Sequence, residues 1–239
     1  MKLSYDATWQ DIAGLLRTHA DILLVVTGVF LFLPALAQAF YFPPPPTSGL
    51  NEATMRAFLA YYEENFPAIF AARLVSLTGT GAILALLLGP DRPTVGHAIS
   101  QALRLLPTLF LVEVLGQLMV IGGGLLLILP GLYLMARIAL SAAATMAERI
   151  SNPLRALGRS FAMTKGAGWS VFGLLAIVMI VLWIASSALI TVFGVIGALL
   201  LPAEGAKIMQ MAFAALSTAL LMLGSTLLSA GLYRQFRQG

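Results

Sequence analysis

Apolar residues along this chain do not alternate with polar ones. They run in long blocks, and polar residues gather in short segments between them. A transmembrane helix needs about 20 mostly apolar residues to cross the ~30 Å hydrocarbon core. Six blocks read as such spans, at about 21–40, 67–89, 107–129, 132–146, 169–191 and 206–232. The period-2 alternation that marks a membrane β-barrel does not occur. The pattern predicts an all-α, polytopic membrane protein with six transmembrane helices, one integral membrane domain over residues 1–239. The block from Trp169 to Leu201 is too long for one perpendicular span, so it tilts or breaks near Gly194 and Gly197.

The segments between spans carry helical periodicity of their own. Over residues 3–18, Tyr5, Trp9, Ile12 and Leu16 share one face, with Asp6, Asp11 and Arg17 elsewhere, which predicts an amphipathic helix in the membrane surface. The first span ends in Ala35–Ala39, small residues like those of a signal-peptidase site. The leader before it is long and partly acidic, so the segment reads as a retained span. Pro43 to Pro46 predict an extended connector. Asn51 then caps a helix with Met55, Phe58, Leu59, Tyr62 and Phe66 on one face, expected flat on the outer surface, and Pro67 starts span two. Ser76 to Gly81 within that span allow close helix contact. Asp91 to Leu105 read as another short surface segment, with Ile99, Leu103 and Leu106 on one side and Pro107 opening span three. Gly122–Gly124 predict a packing face or a local break, and Pro130–Gly131 a turn so short that spans three and four form a tight hairpin. Asn152 followed by Pro153 starts a third short helix, closed by Gly166 and Gly168. Its Leu154, Leu157 and Phe161 face one way and its Arg155 and Arg159 the other, and Trp169 is placed as an interface anchor.

Charge sets an expected orientation. Lys2, Arg17, Arg92, Arg104, Arg149, Arg155, Arg159, Lys165, Arg234 and Arg237 fall on one side of the six-span arrangement, and Arg56 and Lys207 on the other. By the positive-inside rule the first side is cytoplasmic, and both termini lie there. The net charge of +4 follows from these loops and implies no nucleic-acid partner. Only 10% of residues are charged, against roughly 25% in soluble domains, which leaves no room for a soluble catalytic domain. Without cysteine there is no disulfide, thiolate metal site or cysteine nucleophile. His19 and His97, the two histidines, make neither a metal site nor a triad with scattered serines. The glycines form no nucleotide-binding pattern. The expectation is a non-enzymatic protein without cofactor.

The stretch LPGLYLMARIALSAAATMAERISNPLRALGRSFAMTKGAGW, residues 129–169, resembles the most characteristic segment of the YciC-type family of bacterial inner-membrane proteins. That family is similar to the membrane domain fused to some glycerophosphodiester phosphodiesterases. The resemblance rests on Pro130–Gly131, on the small-residue helix after it, and on a Leu-x-x-Ser-hydrophobic-x-x-Thr-Lys segment. Here that segment is Leu157, Ser160, Phe161, Thr164 and Lys165. It implies a six-span inner-membrane protein connected with lipid or envelope biology. No hydrolase domain is present, so hydrolase activity does not follow.

Arg73, Glu113 and Arg137 are ionisable residues inside spans, where a charge costs at least ~2.5 kcal/mol. They predict either a polar seam between spans two, three and four that meets a lipid phosphate or polar solute, or an Arg–Glu pair that holds helices together. Arg73 and Arg137 are expected in the outer half of their spans and Glu113 in the inner half, with its partner left open. Arg155, Arg159 and Lys165 form a basic patch for anionic headgroups, each contributing ~1 kcal/mol, or are ordinary orientation signals. The expected role is binding, organising or moving membrane phospholipids. The alternatives are a small transporter or channel for a polar or amphiphilic solute, and a scaffold subunit. For the scaffold, Ala185–Ala188 would be a helix-contact face toward a second copy or a membrane-protein partner.

Overall fold

The structure, a computed structural model, describes residues 5–238 apart from 44, 46–48, 50 and 90–92. Lys2, Pro44, Pro46, Asp91 and Arg92, and the side chains of Tyr5 and Asp6, lie outside the described residues. The described residues are helical almost throughout, with no strand among them. The helices are α1 (Tyr5–Thr27), a π-helical turn (Gly28–Phe32), α2 (Leu33–Tyr41), α3 (Glu52–Leu88), α4 (Val95–Leu126), α5 (Ile128–Ile138), α6 (Ser141–Glu148), α7 (Pro153–Met163), α8 (Gly168–Leu200) and α9 (Ala203–Gln238). Six helical segments are long and apolar enough to cross a membrane, and the chain is a multi-pass helical membrane protein.

Two of the expected surface helices are continuous with the spans they precede. α3 runs unbroken through Pro67, and α4 through Pro107. A proline removes one main-chain donor, and a helix supported by neighbours along the rest of its length tolerates that loss. With 37 residues and a 1.5 Å rise, α3 is ~55 Å long, well beyond the hydrocarbon core. Its first half, with Met55, Leu59, Tyr62 and Phe66, is exposed and lies along the helix axis instead of apart from it. The third short helix is separate as expected: Asn152 Oδ1 accepts from the Leu154 and Arg155 amides at 2.9 and 3.2 Å, and Pro153 begins α7. Gly166, with φ +79°, closes the turn after it. α8 passes Gly194 and Gly197 without a break, so the long block is one continuous helix.

The N-terminal amphipathic segment is set off from the first span by a kink at His19. Its buried face is not the expected one. Thr8, Ile12 and Leu15 are buried, whereas Trp9 is 64% exposed. The reason is packing on α9: Ile12 and Thr8 lie against Gly231, and Thr8 Oγ1 donates to Gln235 Oε1 at 2.7 Å. The two ends of the chain therefore meet at one end of the bundle. The buried face of α4 is likewise shifted, to Ala98, Ala102 and Leu105. On α7, Ala156, Leu157 and Ser160 are buried and Leu154 is exposed.

Small residues bring helices together as expected. Gly81 lies against Leu109 and Ala102. The hairpin between α4 and α5 turns at Leu127, not at Pro130–Gly131. Pro130 sits in the first turn of α5, where a main-chain donor is unneeded. A Cβ on Gly131 would come within 2.8 Å of the Gly124 main chain. The glycines are thus a packing face, and any side chain at 131 forces the hairpin apart.

The fourth span is broken where the sequence offers no breaker. α5 ends at Ile138 and α6 begins at Ser141. Side-chain hydroxyls take up the main-chain groups that the break frees. Ser160 Oγ donates to the Arg137 carbonyl at 2.6 Å and accepts from the Leu140 amide at 3.2 Å. Ser141 Oγ donates to the Ile138 carbonyl at 2.6 Å, and Ser229 Oγ to the Ala139 carbonyl at 2.9 Å. Ser160→Ala is therefore expected to destabilise the protein by about 1–3 kcal/mol, the cost of leaving buried main-chain groups unpaired. Ser187→Ala, which loses only a bond to its own helix at Trp183, should change stability by less than about 0.5 kcal/mol. Unfolding in detergent checks this; equal stability of the two variants contradicts the sealing role.

Candidate functional site: a polar cavity between the spans

Charged side chains inside an apolar bundle need partners, and α3 and α4 supply a pair. Arg73 Nη2 meets Glu113 Oε1 in an ion pair. One turn away on each helix, Phe70 and Phe110 stack edge to face with centroids 5.4 Å apart. The pair forms one wall of a cavity of about 320 Å³, within the range of small-molecule sites. Gln117, one turn after Glu113, and Thr80, two turns after Arg73, extend the polar wall. Ile138, Ala139 and Ser141 from the α5–α6 break line the facing side, and Ser225 and Thr226 come from α9. Arg73 is 44% accessible and Glu113 23%, so the arginine is the more exposed of the two. Glu113 Oε2 is buried and has no hydrogen-bond partner.

Arg137 does not join this pair. Its neighbour Ile138 lines the cavity, and the ~100° turn per residue sends Arg137 toward α7. There its guanidinium lies 5.0 Å from the Phe161 ring centroid and 5.8 Å from that of Tyr133. These cation–π contacts hold α5 against α7. The expected three-residue seam is thus an Arg73–Glu113 site with Arg137 apart from it.

The basic patch divides too. Arg159 Nε donates to Glu148 Oε1 at 2.7 Å, and the Tyr233 hydroxyl donates to the same oxygen at 2.9 Å. This three-way contact joins α6, α7 and α9. The hydrogen bond to Glu148 holds the Arg159 guanidinium above its usual range. Arg155 and Lys165 remain exposed, with no ion pair within 4 Å among the described residues. The motif residues that carry the family resemblance are mostly structural here. Ser160 seals the break, Leu157 is buried, Phe161 covers Arg137, and Thr164 Oγ1 donates to the Ser160 carbonyl at 2.8 Å.

Gln117, Ser141, Ser225 and Thr226 were not among the expected site residues. The Glu113–Gln117 spacing was a usable signal, since i and i+4 share a helix face. The hydroxyls gave none, because serine and threonine in apolar helices commonly bond only to their own backbone.

Comparison with family models, curated proteins and solved structures gives no match for this chain.

The ion pair is expected to show in a double-mutant cycle. Arg73→Ala and Glu113→Ala each leave a charge without its partner, so the double variant should lose about 0.5–3 kcal/mol less than the sum of the singles. Strict additivity in reversible unfolding contradicts the pairing.

Proposed function

We propose that this is a non-enzymatic protein of the bacterial inner membrane that binds phospholipid by its headgroup in the cavity between α3, α4, α6 and α9, with both termini in the cytoplasm. The observation that carries the reading is the Arg73–Glu113 pair, placed on helices long and apolar enough to span and facing a cavity with hydroxyl and amide walls. Intramembrane charges that line a cavity mark a polar ligand or its path. Arg73 keeps N–H donors beyond the one spent on Glu113, and a guanidinium fork suits phosphate oxygens. Orientation rests on the excess of Lys and Arg on the side of the termini. Arg155 and Lys165 on that side supply loose contact with anionic headgroups. The resemblance to YciC-type proteins points the same way, toward lipid and envelope biology.

Native mass spectrometry of the gently purified protein tests this. The wild type should retain phospholipid at a fixed stoichiometry, Arg73→Ala should lose it, and Arg137→Ala should keep it. A wild type without lipid, or equal retention in Arg73→Ala, overturns the reading. A stable stoichiometric protein partner in place of lipid would favour the scaffold role.

A further inference from the structure

The hydrogen-bonding state of the cavity walls narrows the ligand. Ser141, Ser225 and Thr226 line the cavity, and each hydroxyl has already given its proton to a main-chain carbonyl. Ser141 donates to Ile138 at 2.6 Å, Ser225 to Met222 at 2.9 Å and Thr226 to Met222 at 2.7 Å. A hydroxyl that has spent its proton offers only lone pairs. The Glu113 carboxylate, which also lines the cavity, is a fourth acceptor, and it carries charge. The cavity wall is therefore rich in acceptors and carries a carboxylate, while the Arg73 guanidinium and the Gln117 amide provide its donors.

An anion alone does not fit this arrangement. Arg73 is neutralised by Glu113, so a lone phosphate would enter a site with no net positive charge and face a carboxylate oxygen. A zwitterion fits both charges: phosphate on the free N–H groups of Arg73, and a cationic N–H donor on the Glu113 carboxylate and the spent hydroxyls. We infer that the cavity is selective for a ligand bearing a primary ammonium, and that its lipid form is an aminophospholipid of the phosphoethanolamine type. The lipid form rests on the headgroup reading above; the ammonium preference rests on the acceptors alone.

The experiment offers the wild type an equimolar mixture of phosphatidylethanolamine, phosphatidylcholine and phosphatidylglycerol with identical chains, and reads the retained lipid by native mass spectrometry. Phosphatidylcholine carries the same charges but no N–H, and phosphatidylglycerol carries no ammonium. The wild type should retain phosphatidylethanolamine about tenfold over either, the factor expected of one charge-assisted hydrogen bond. Glu113→Gln, which keeps an oxygen for Arg73 and removes the charge, should still retain phospholipid but with a ratio of about one. Ser225→Ala, a milder change, should lower the ratio without loss of folding. Equal retention of the three lipids by the wild type, a preference for phosphatidylglycerol, or an unchanged ratio in both variants overturns the inference while leaving the headgroup reading in place. If the wild type retains no phospholipid, the headgroup reading fails, and titration with free ethanolamine decides the ammonium question. Thermal stabilisation of the wild type but not of Glu113→Gln identifies a soluble amine as the ligand; no stabilisation of either overturns the inference.

Discussion

In hydrocarbon there is no water to satisfy a main-chain N–H or C=O, so a helix can break inside a membrane only where the protein itself supplies the missing partners. The arrangement of this bundle depends on one such break, between Ile138 and Ser141. Its three freed carbonyls are met by serines from three helices: Ser160 of α7, Ser141 of α6 and Ser229 of α9. Each bond is modest, about 0.5–1.5 kcal/mol net, but leaving any one unmade costs more than making it gains. The seal therefore fixes where α7 and α9 sit. It also creates the site. Ile138, Ala139 and Ser141 at the break line the cavity that Arg73 and Glu113 face.

The intramembrane and near-membrane charges fall into two kinds. Arg137 and Arg159 are held by their own surroundings, the first between two rings and the second by Glu148 and its Tyr233 contact. These contacts join α5, α6, α7 and α9. Arg73 and Glu113 differ, because their pair lines a cavity. A buried ion pair is poor evidence for stability, since well-packed apolar residues of the same volume often serve as well or better. An ion pair that lines a hydroxyl-walled space is better explained by what enters that space.

Much of the architecture was legible in the sequence. Run length alone marks the spans, because the hydrocarbon core sets the length each must have. The tight α4–α5 hairpin and the Asn152–Pro153 start of α7 follow from local chemistry that no distant contact alters. Other features were not legible. Pro67 and Pro107 look like span starts, yet long-range packing carries helices through both. The partner of Glu113 stayed open for the same reason, since the choice of Arg73 depends on how α3 and α4 pack. The break after Ile138 lies in a run of good helix formers and arises from serines as far as 90 positions away. The face of the N-terminal helix was misread because hydrophobicity favoured Trp9, whereas the close approach to Gly231 selects Thr8 and Ile12.

The most direct test of this account is an experimental density map of the protein in nanodiscs made from lipids of a bacterial inner membrane. The account predicts headgroup density in the cavity, with phosphate beside Arg73 and a second polar feature beside the Glu113 carboxylate. A cavity filled by water or by protein side chains, with ordered lipid only on the outer surface, would contradict it.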